Sequence, residues 1–230
     1  MTCNRTLRWY ELIPLFSFLI QKGKCRRCAT TISHQYPLVE FGTGFIFALL
    51  AFHFLPVLGF SQGTYIALVT LFSFLFSLLM VVSVYDIRHK IIPNRLVYIY
   101  AGVSLFSVFI NTSGVGSFFI VPSLFALVSG PLFALPFALL WLVSRGRLMG
   151  LGDAKLILGL GWMLGPLAGL AMLTLSFWIG AVVSLVIMFF SSHKMTMKTE
   201  IPFAPFLILS TVIVFFFHLD IFSLVALFHL

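Results

Sequence analysis

The sequence predicts an all-α, polytopic transmembrane helical bundle of about seven spans, preceded by a small cytoplasmic segment that carries cysteines. Three observations predict it. Hydrophobic residues fill 61% of the 230 positions and charged residues only 9%, with a mean hydropathy of +1.13; a soluble globular domain carries about 25% charged residues. Asp, Glu, Lys and Arg are absent from 41–85, 96–144, 156–193 and 201–219. The 14 Lys and Arg residues all fall in four segments, 1–40, 86–95, 145–155 and 191–201. This excludes a soluble enzyme, a disordered chain and a disulfide-stapled domain. Long unbroken apolar runs, in place of period-2 alternation, exclude an outer-membrane barrel. The net charge of +8 belongs to short loops that orient a membrane protein, so the expected partner is the lipid bilayer and not nucleic acid. Met1 opens onto TCNRTLRWYE, a basic stretch without the apolar core of a cleavable signal peptide.

The spans follow in order. A crossing needs about 20 apolar residues at roughly 1.5 Å each, so the first two charge-free runs read as helix pairs, near 42–60 and 65–85, then 93–111 and 119–144. Turns at Ser61-Gln62-Gly63 and Asn111-Thr112-Ser113-Gly114 divide them. Pro122, Pro131 and Pro136 are expected to kink the fourth helix. The run 156–193 reads as one long helix or as two broken between Gly161 and Pro166. Charge parity decides: basic segments lie on the cytoplasmic side, and 145–155 and 191–201 share a side only if the chain between them crosses an even number of times. A short span near 154–164, or a re-entrant hairpin, and a longer one near 167–190 are therefore expected, with a last span near 203–228. The N-terminus is then inside the plasma membrane and the C-terminus outside. Residues 1–40 form one domain and 41–230 the membrane domain.

Six acids are present: Glu11, Glu40, Asp86, Asp153, Glu200 and Asp220. Glu11 and Glu200 read as solvated loop charges. Glu40 reads as the start of the first helix, favoured by its dipole, and Asp220 as lying near the outer end of the last helix. Asp86, in VYDIRHKIIPNR, ends one apolar run, and Asp153, in GLGDAK, opens another. Both fall at the cytoplasmic membrane face, where an ionisable group is costly unless it is paired or hydrated. Asp153 could cap the helix beginning at Ala154, and Asp86 could pair with Arg88 or Lys90. Together they suggest more. Two carboxyls a few ångströms apart share one proton. The ionised member can activate a water while the protonated one polarises a peptide carbonyl, which needs no cofactor. Gly150 and Gly152 let the backbone pass close to a neighbour. HExxH, GxSxG and P-loop patterns are absent, and the six histidines read as non-catalytic.

Cys25 and Cys28 form a CxxC pair, with Cys3 upstream. In a reducing compartment that spacing suggests half of a zinc site, for which His34 could supply a fourth ligand. Unliganded thiols in a basic loop are the other reading. The positive charge of this segment also suits anionic headgroups.

These motifs resemble the bacterial prepilin peptidases, the type IV leader peptidases of the GxGD aspartic class. WYELIPLFSFL, GKCRRC and YPLVE are similar to the family's cytoplasmic zinc-bearing segment, DIRHKIIPN to its first catalytic motif, GLGD followed by AK to its GxGD signature, and IPFAPFL to its IPFGP stretch, with Ala204 where Gly is usual. The resemblance implies that Asp86 and Asp153 are a catalytic dyad. It implies removal of the basic leader from type IV prepilins or from competence or secretion pseudopilins. In many members S-adenosylmethionine-dependent N-methylation of the new N-terminus follows. Gly23 and Lys24 match the GKC element tied to that second activity, and Cys3, Cys25 and Cys28 match three of four family cysteines. The family has a further helix and a cysteine one position before Met1, so the resemblance reads the first segment as N-terminally shortened. A different GxGD intramembrane protease and a non-catalytic membrane assembly protein are the rival classes.

Overall fold

The computed structural model describes residues 6, 8–25, 28–190 and 202–226. Cys3, His193 and Glu200 lie outside the described residues. Within them the chain is helical, with two isolated antiparallel bridges, Lys24–Thr31 and Ile110–Phe119, in place of any strand.

A 3-10 turn at Trp9–Leu12 and α1 (Phe16–Ile20) lead into α2 (Gln35–His53), which the short α3 (Leu55–Leu58) follows. α4 (Gln62–His89) starts at Ser61, whose hydroxyl accepts the Thr64 N–H, and ends at Lys90 in a left-handed conformation. Next come α5 (Asn94–Ser107), α6 (Leu124–Ser144), α7 (Leu151–Phe190), α8 (Ala204–Phe217) and α9 (Ile221–Ala226). α2, α4, α6 and α7 are long and apolar enough to cross a membrane, and α8 is a shorter apolar helix.

α7 carries the clearest agreement with the charge pattern. Gly165 stands at φ 77° and ψ −175°, outside the helical region. The helix is therefore two arms, 151–164 and 166–190, broken inside the stretch from Gly161 to Pro166 where a break is expected. Pro166, which lacks an N–H, suits the first position of the second arm.

Four expectations change. α2 begins at Gln35 and not near 42, because Pro37 is tolerated in a first helical turn. The fourth span begins at Leu124 and not at 119. Residues 118–121 are spent on the bridge to Ile110, and Ser123 caps the helix by accepting the Ala126 N–H at 3.2 Å. Pro122 thus lies before α6, and only Pro131 and Pro136 fall inside it. The last span divides, with His218 left-handed between α8 and α9. α5 and α8 have 14 residues each, about 21 Å at 1.5 Å per residue, short of the ~30 Å bilayer core.

α7 is the hub, packing on α6 most extensively and then on α5 and α8, while α2 lies against α4. Small residues allow the α6–α7 crossing. Ser129 Oγ donates to the Gly161 carbonyl at 2.8 Å, and Trp162 Nε1 donates to the Leu127 carbonyl at 2.8 Å. A Cβ on Gly161 would stand 2.8 Å from the Gly130 Cα, the close backbone approach that drives helix association in lipid.

Candidate active site

Asp86 is placed by the register of α4. Leu75, Leu79 and Val82 form its fully buried stripe, and steps of three and four residues continue that stripe to position 86. The carboxyl is consequently 4% exposed, in the last turn of the helix. Asp153 lies in the first turn of α7, on the face that carries the buried Ile157 and Leu160. α7 starts at Leu151, so Asp153 is inside the helix and is not the cap of one beginning at Ala154. Nor does Asp86 rely on Arg88, whose Nε donates to Gln35 Oε1 at the start of α2.

The start of α7 is fastened to the start of α5, which follows the turn after Asp86. Lys155 Nζ donates to Asn94 Oδ1 at 2.9 Å and lies 5.0 Å from the centroid of the Tyr98 ring. Gly152 faces Ile92 so closely that a Cβ there would lie 2.8 Å from the Ile92 Cβ. Gly150 borders the acid itself, its would-be Cβ 3.7 Å from Asp153 Oδ2. The sequence shows Asn94 and Lys155 beside the acids but gives no sign that they touch.

α8 supplies the third wall. Its first N–H, that of Ala204, is directed at the Asp86 carboxyl, so the positive end of the helix faces the acid. The two carboxyls come within electrostatic reach of each other. Asp86 Oδ2 and Asp153 Oδ1 are buried without a hydrogen-bond partner, which costs about 1–3 kcal/mol for a buried polar group. The arrangement holds two acids, with unused hydrogen-bonding capacity, at one end of three apolar helices.

The other described acids are structural. Glu11 is buried and not a solvated charge, because its Oε2 accepts the Arg8 N–H at 2.9 Å. Glu40 is in the second turn of α2 and accepts the Leu15 N–H at 2.8 Å, so it ties down the preceding segment and does not open the helix. Asp220 starts α9 in a reciprocal cap, Oδ1 accepting the Ser223 N–H at 2.7 Å while Ser223 Oγ accepts the Asp220 N–H at 2.8 Å. The described histidines with ring partners are packed: His34 against Phe18, His89 against Tyr85, and His53 stacked on Phe215 and His218. A cleft of about 440 Å³ beside His53, His218 and Pro166 lies beyond the first arm of α7, away from the paired acids.

Cys25 and Cys28 fall on one tight turn, in which the Cys25 carbonyl accepts the Ala29 N–H at 2.9 Å and Cys28 Sγ contacts Thr30 Oγ1 at 3.1 Å. Among the described residues no group of three or more His, Cys, Asp and Glu could hold a metal. Among these residues His34 is therefore not brought together with the two thiols. Gly23 has φ 68° and a buried position. Its N–H donates to the Phe18 carbonyl at 3.0 Å, its carbonyl accepts the Ile32 N–H at 2.7 Å, and a Cβ would meet the Phe18 ring at 3.1 Å. Lys24 pairs with Thr31. These contacts build a tight turn.

The fold and its buried acids define a polytopic membrane protein with a paired-carboxylate site. Two family profiles match it: the Bacterial Peptidase A24 N-terminal domain over residues 1–54 and the Type IV leader peptidase family over 73–185. The chain is similar to the Prepilin leader peptidase/N-methyltransferase of Bacillus subtilis, 33% identical over 203 residues, 88% of this chain and 74% of that one. It is 33% identical to the protein of the same name from Stutzerimonas stutzeri over 218 residues, 89% of this chain and 66% of that one. The Xanthomonas campestris protein of that name is 31% identical over 222 residues, 94% of this chain and 70% of that one. The chain belongs to the type IV leader peptidase family. No solved structure matches it.

Proposed function

We propose that the chain is a membrane-embedded aspartic endopeptidase that removes the basic leader from type IV prepilins or pseudopilins, with Asp86 and Asp153 as its catalytic pair. The observation that carries this reading is the placement of a 4%-exposed Asp86 within electrostatic reach of Asp153, each with a buried, unpartnered oxygen. The leader peptidase family supplies the substrate class. The basic segments 86–95 and 145–155 flank the acids, which supports a site at the cytoplasmic face of the plasma membrane.

In the proposed reaction the substrate's apolar helix lies beside the bundle, and its scissile bond enters between the two carboxyls. The ionised member takes a proton from a water. The water oxygen bonds to the peptide carbon while the protonated member donates to the carbonyl oxygen. The tetrahedral gem-diol then breaks its C–N bond as the proton taken from the water passes to the departing nitrogen and one diol hydroxyl returns its proton to the other carboxylate, which restores the singly protonated pair. The leader leaves with a new carboxylate and the pilin with a new amine. The Ala204 N–H supports the negative member of the pair.

Gly23 and Lys24 are the candidates for the methyl transfer named for the relatives. The test is co-expression with an epitope-tagged prepilin or pseudopilin. A shift to the mature size on an immunoblot supports peptidase function. An unshifted substrate beside a correctly inserted chain, across a panel of pilins and pseudopilins, assigns the chain to the non-catalytic class.

A further inference from the structure

The segment ahead of α2 is built inside out for a water-facing loop. Trp9, Leu12, Ile13, Phe16, Leu19 and Ile20 point outward, Trp9 at 78% and Leu19 at 70% exposure, whereas Glu11 is turned inward at 7%. Together they form a run of exposed apolar side chains over the 3-10 turn, the residues after it and α1. The two nearby acids are committed to backbone N–H groups, Glu11 to Arg8 and Glu40 to Leu15. Lys22 and Lys24, just past α1, remain exposed. The Leu15–Glu40 contact fixes this surface to the second turn of α2, a candidate span. The Arg88–Gln35 contact sets that end of α2 against the last turn of α4, which bears Asp86.

We infer that residues 9–20 lie on the membrane surface at the same end as the paired acids, their apolar face inserted among acyl chains and Lys22 and Lys24 at the level of anionic headgroups. Continuity with the start of α2 puts the segment at headgroup depth, where Trp and amphipathic helices settle. The flanking cations match the sign of an anionic leaflet. The occupant of this face is thus lipid. A second copy of the chain or a soluble partner is the competing occupant that the test must exclude.

The experiment uses the full wild-type chain in vesicles of phosphatidylcholine with phosphatidylglycerol, labelled in parallel by a carbene carried on a lipid acyl chain and by hydroxyl radicals in water. The expected result is lipid-borne label on the Trp9–Ile20 peptide together with protection of Trp9 and Phe16 from radicals. Lys22→Gln is expected to lower the lipid-borne label on that peptide about fivefold, the effect of roughly one interfacial charge. Replacing phosphatidylglycerol by phosphatidylcholine lowers it in the same direction. Radical modification of Trp9 and Phe16 without lipid-borne label overturns the inference by placing the segment in water. Protection from both labels overturns it by placing a protein there. The readout is independent of peptidase activity, so failure of the proposed function leaves it intact.

Discussion

Lys155 Nζ reaches Asn94 Oδ1 across 2.9 Å, and through that contact the turn carrying Asp153 is fastened to the helix that follows the Asp86 loop. Neither residue is an acid or a nucleophile. They hold two acids 67 positions apart in sequence in one place. Lys155→Met is expected to lower the processing rate about tenfold, from loss of a charge-assisted hydrogen bond of roughly 1.5 kcal/mol. Lys155→Arg should recover most of it. Kinetics in vesicles would show kcat falling with KM little changed, and a purely structural role would instead lower the amount of folded chain.

Gly152 offers a test of the same docking from the packing side. A methyl group there would stand 2.8 Å from the Ile92 Cβ, and overpacking of this kind costs about 1–3 kcal/mol. Gly152→Ala should slow processing, and the added Ile92→Gly, which removes that Cβ, should restore part of the rate. Strictly additive effects in the double-mutant cycle would show that the two positions do not touch.

Gly165 tests the break in α7. Its φ of 77° and ψ of −175° lie in a region that is essentially glycine's alone, and another residue there costs about 1–3 kcal/mol. Gly165→Ala should lower the thermal unfolding midpoint in detergent. An unchanged midpoint would mean that α7 runs through position 165 as a continuous helix.

Much of this layout was legible because charge is scarce. The four basic segments mark the ends of the spans, and parity alone calls for a break in the run where Gly165 stands. The two acids stand out because so few others exist. What stayed hidden depends on tertiary contacts that leave no periodic trace. Phe118, Phe119, Ile120 and Val121 look like a helix start, yet Phe119 pairs with Ile110 and Ser123 takes the cap. Glu11 looks solvated, yet it closes on the Arg8 N–H. The Ala204 N–H at Asp86 requires α8 to return to α4 from far along the chain. The outward face of Trp9 to Ile20 is visible only once Glu11 is seen to point the other way.

A pair that works with one proton between two carboxyls is active only in the singly protonated state. The rate of processing is therefore expected to follow a bell-shaped pH profile, falling on the acid side as both acids protonate and on the alkaline side as both ionise. A rate that rises to a plateau with pH would point to a single general base.

The most direct measurement is cleavage of a tagged prepilin or pseudopilin by the chain carrying Asp86→Asn or Asp153→Asn, each confirmed to be inserted in the membrane at the wild-type level. The expected result is no mature product from either variant, because an amide can neither take up nor supply the shared proton. Mature product at the wild-type rate from either one would contradict the paired-acid site.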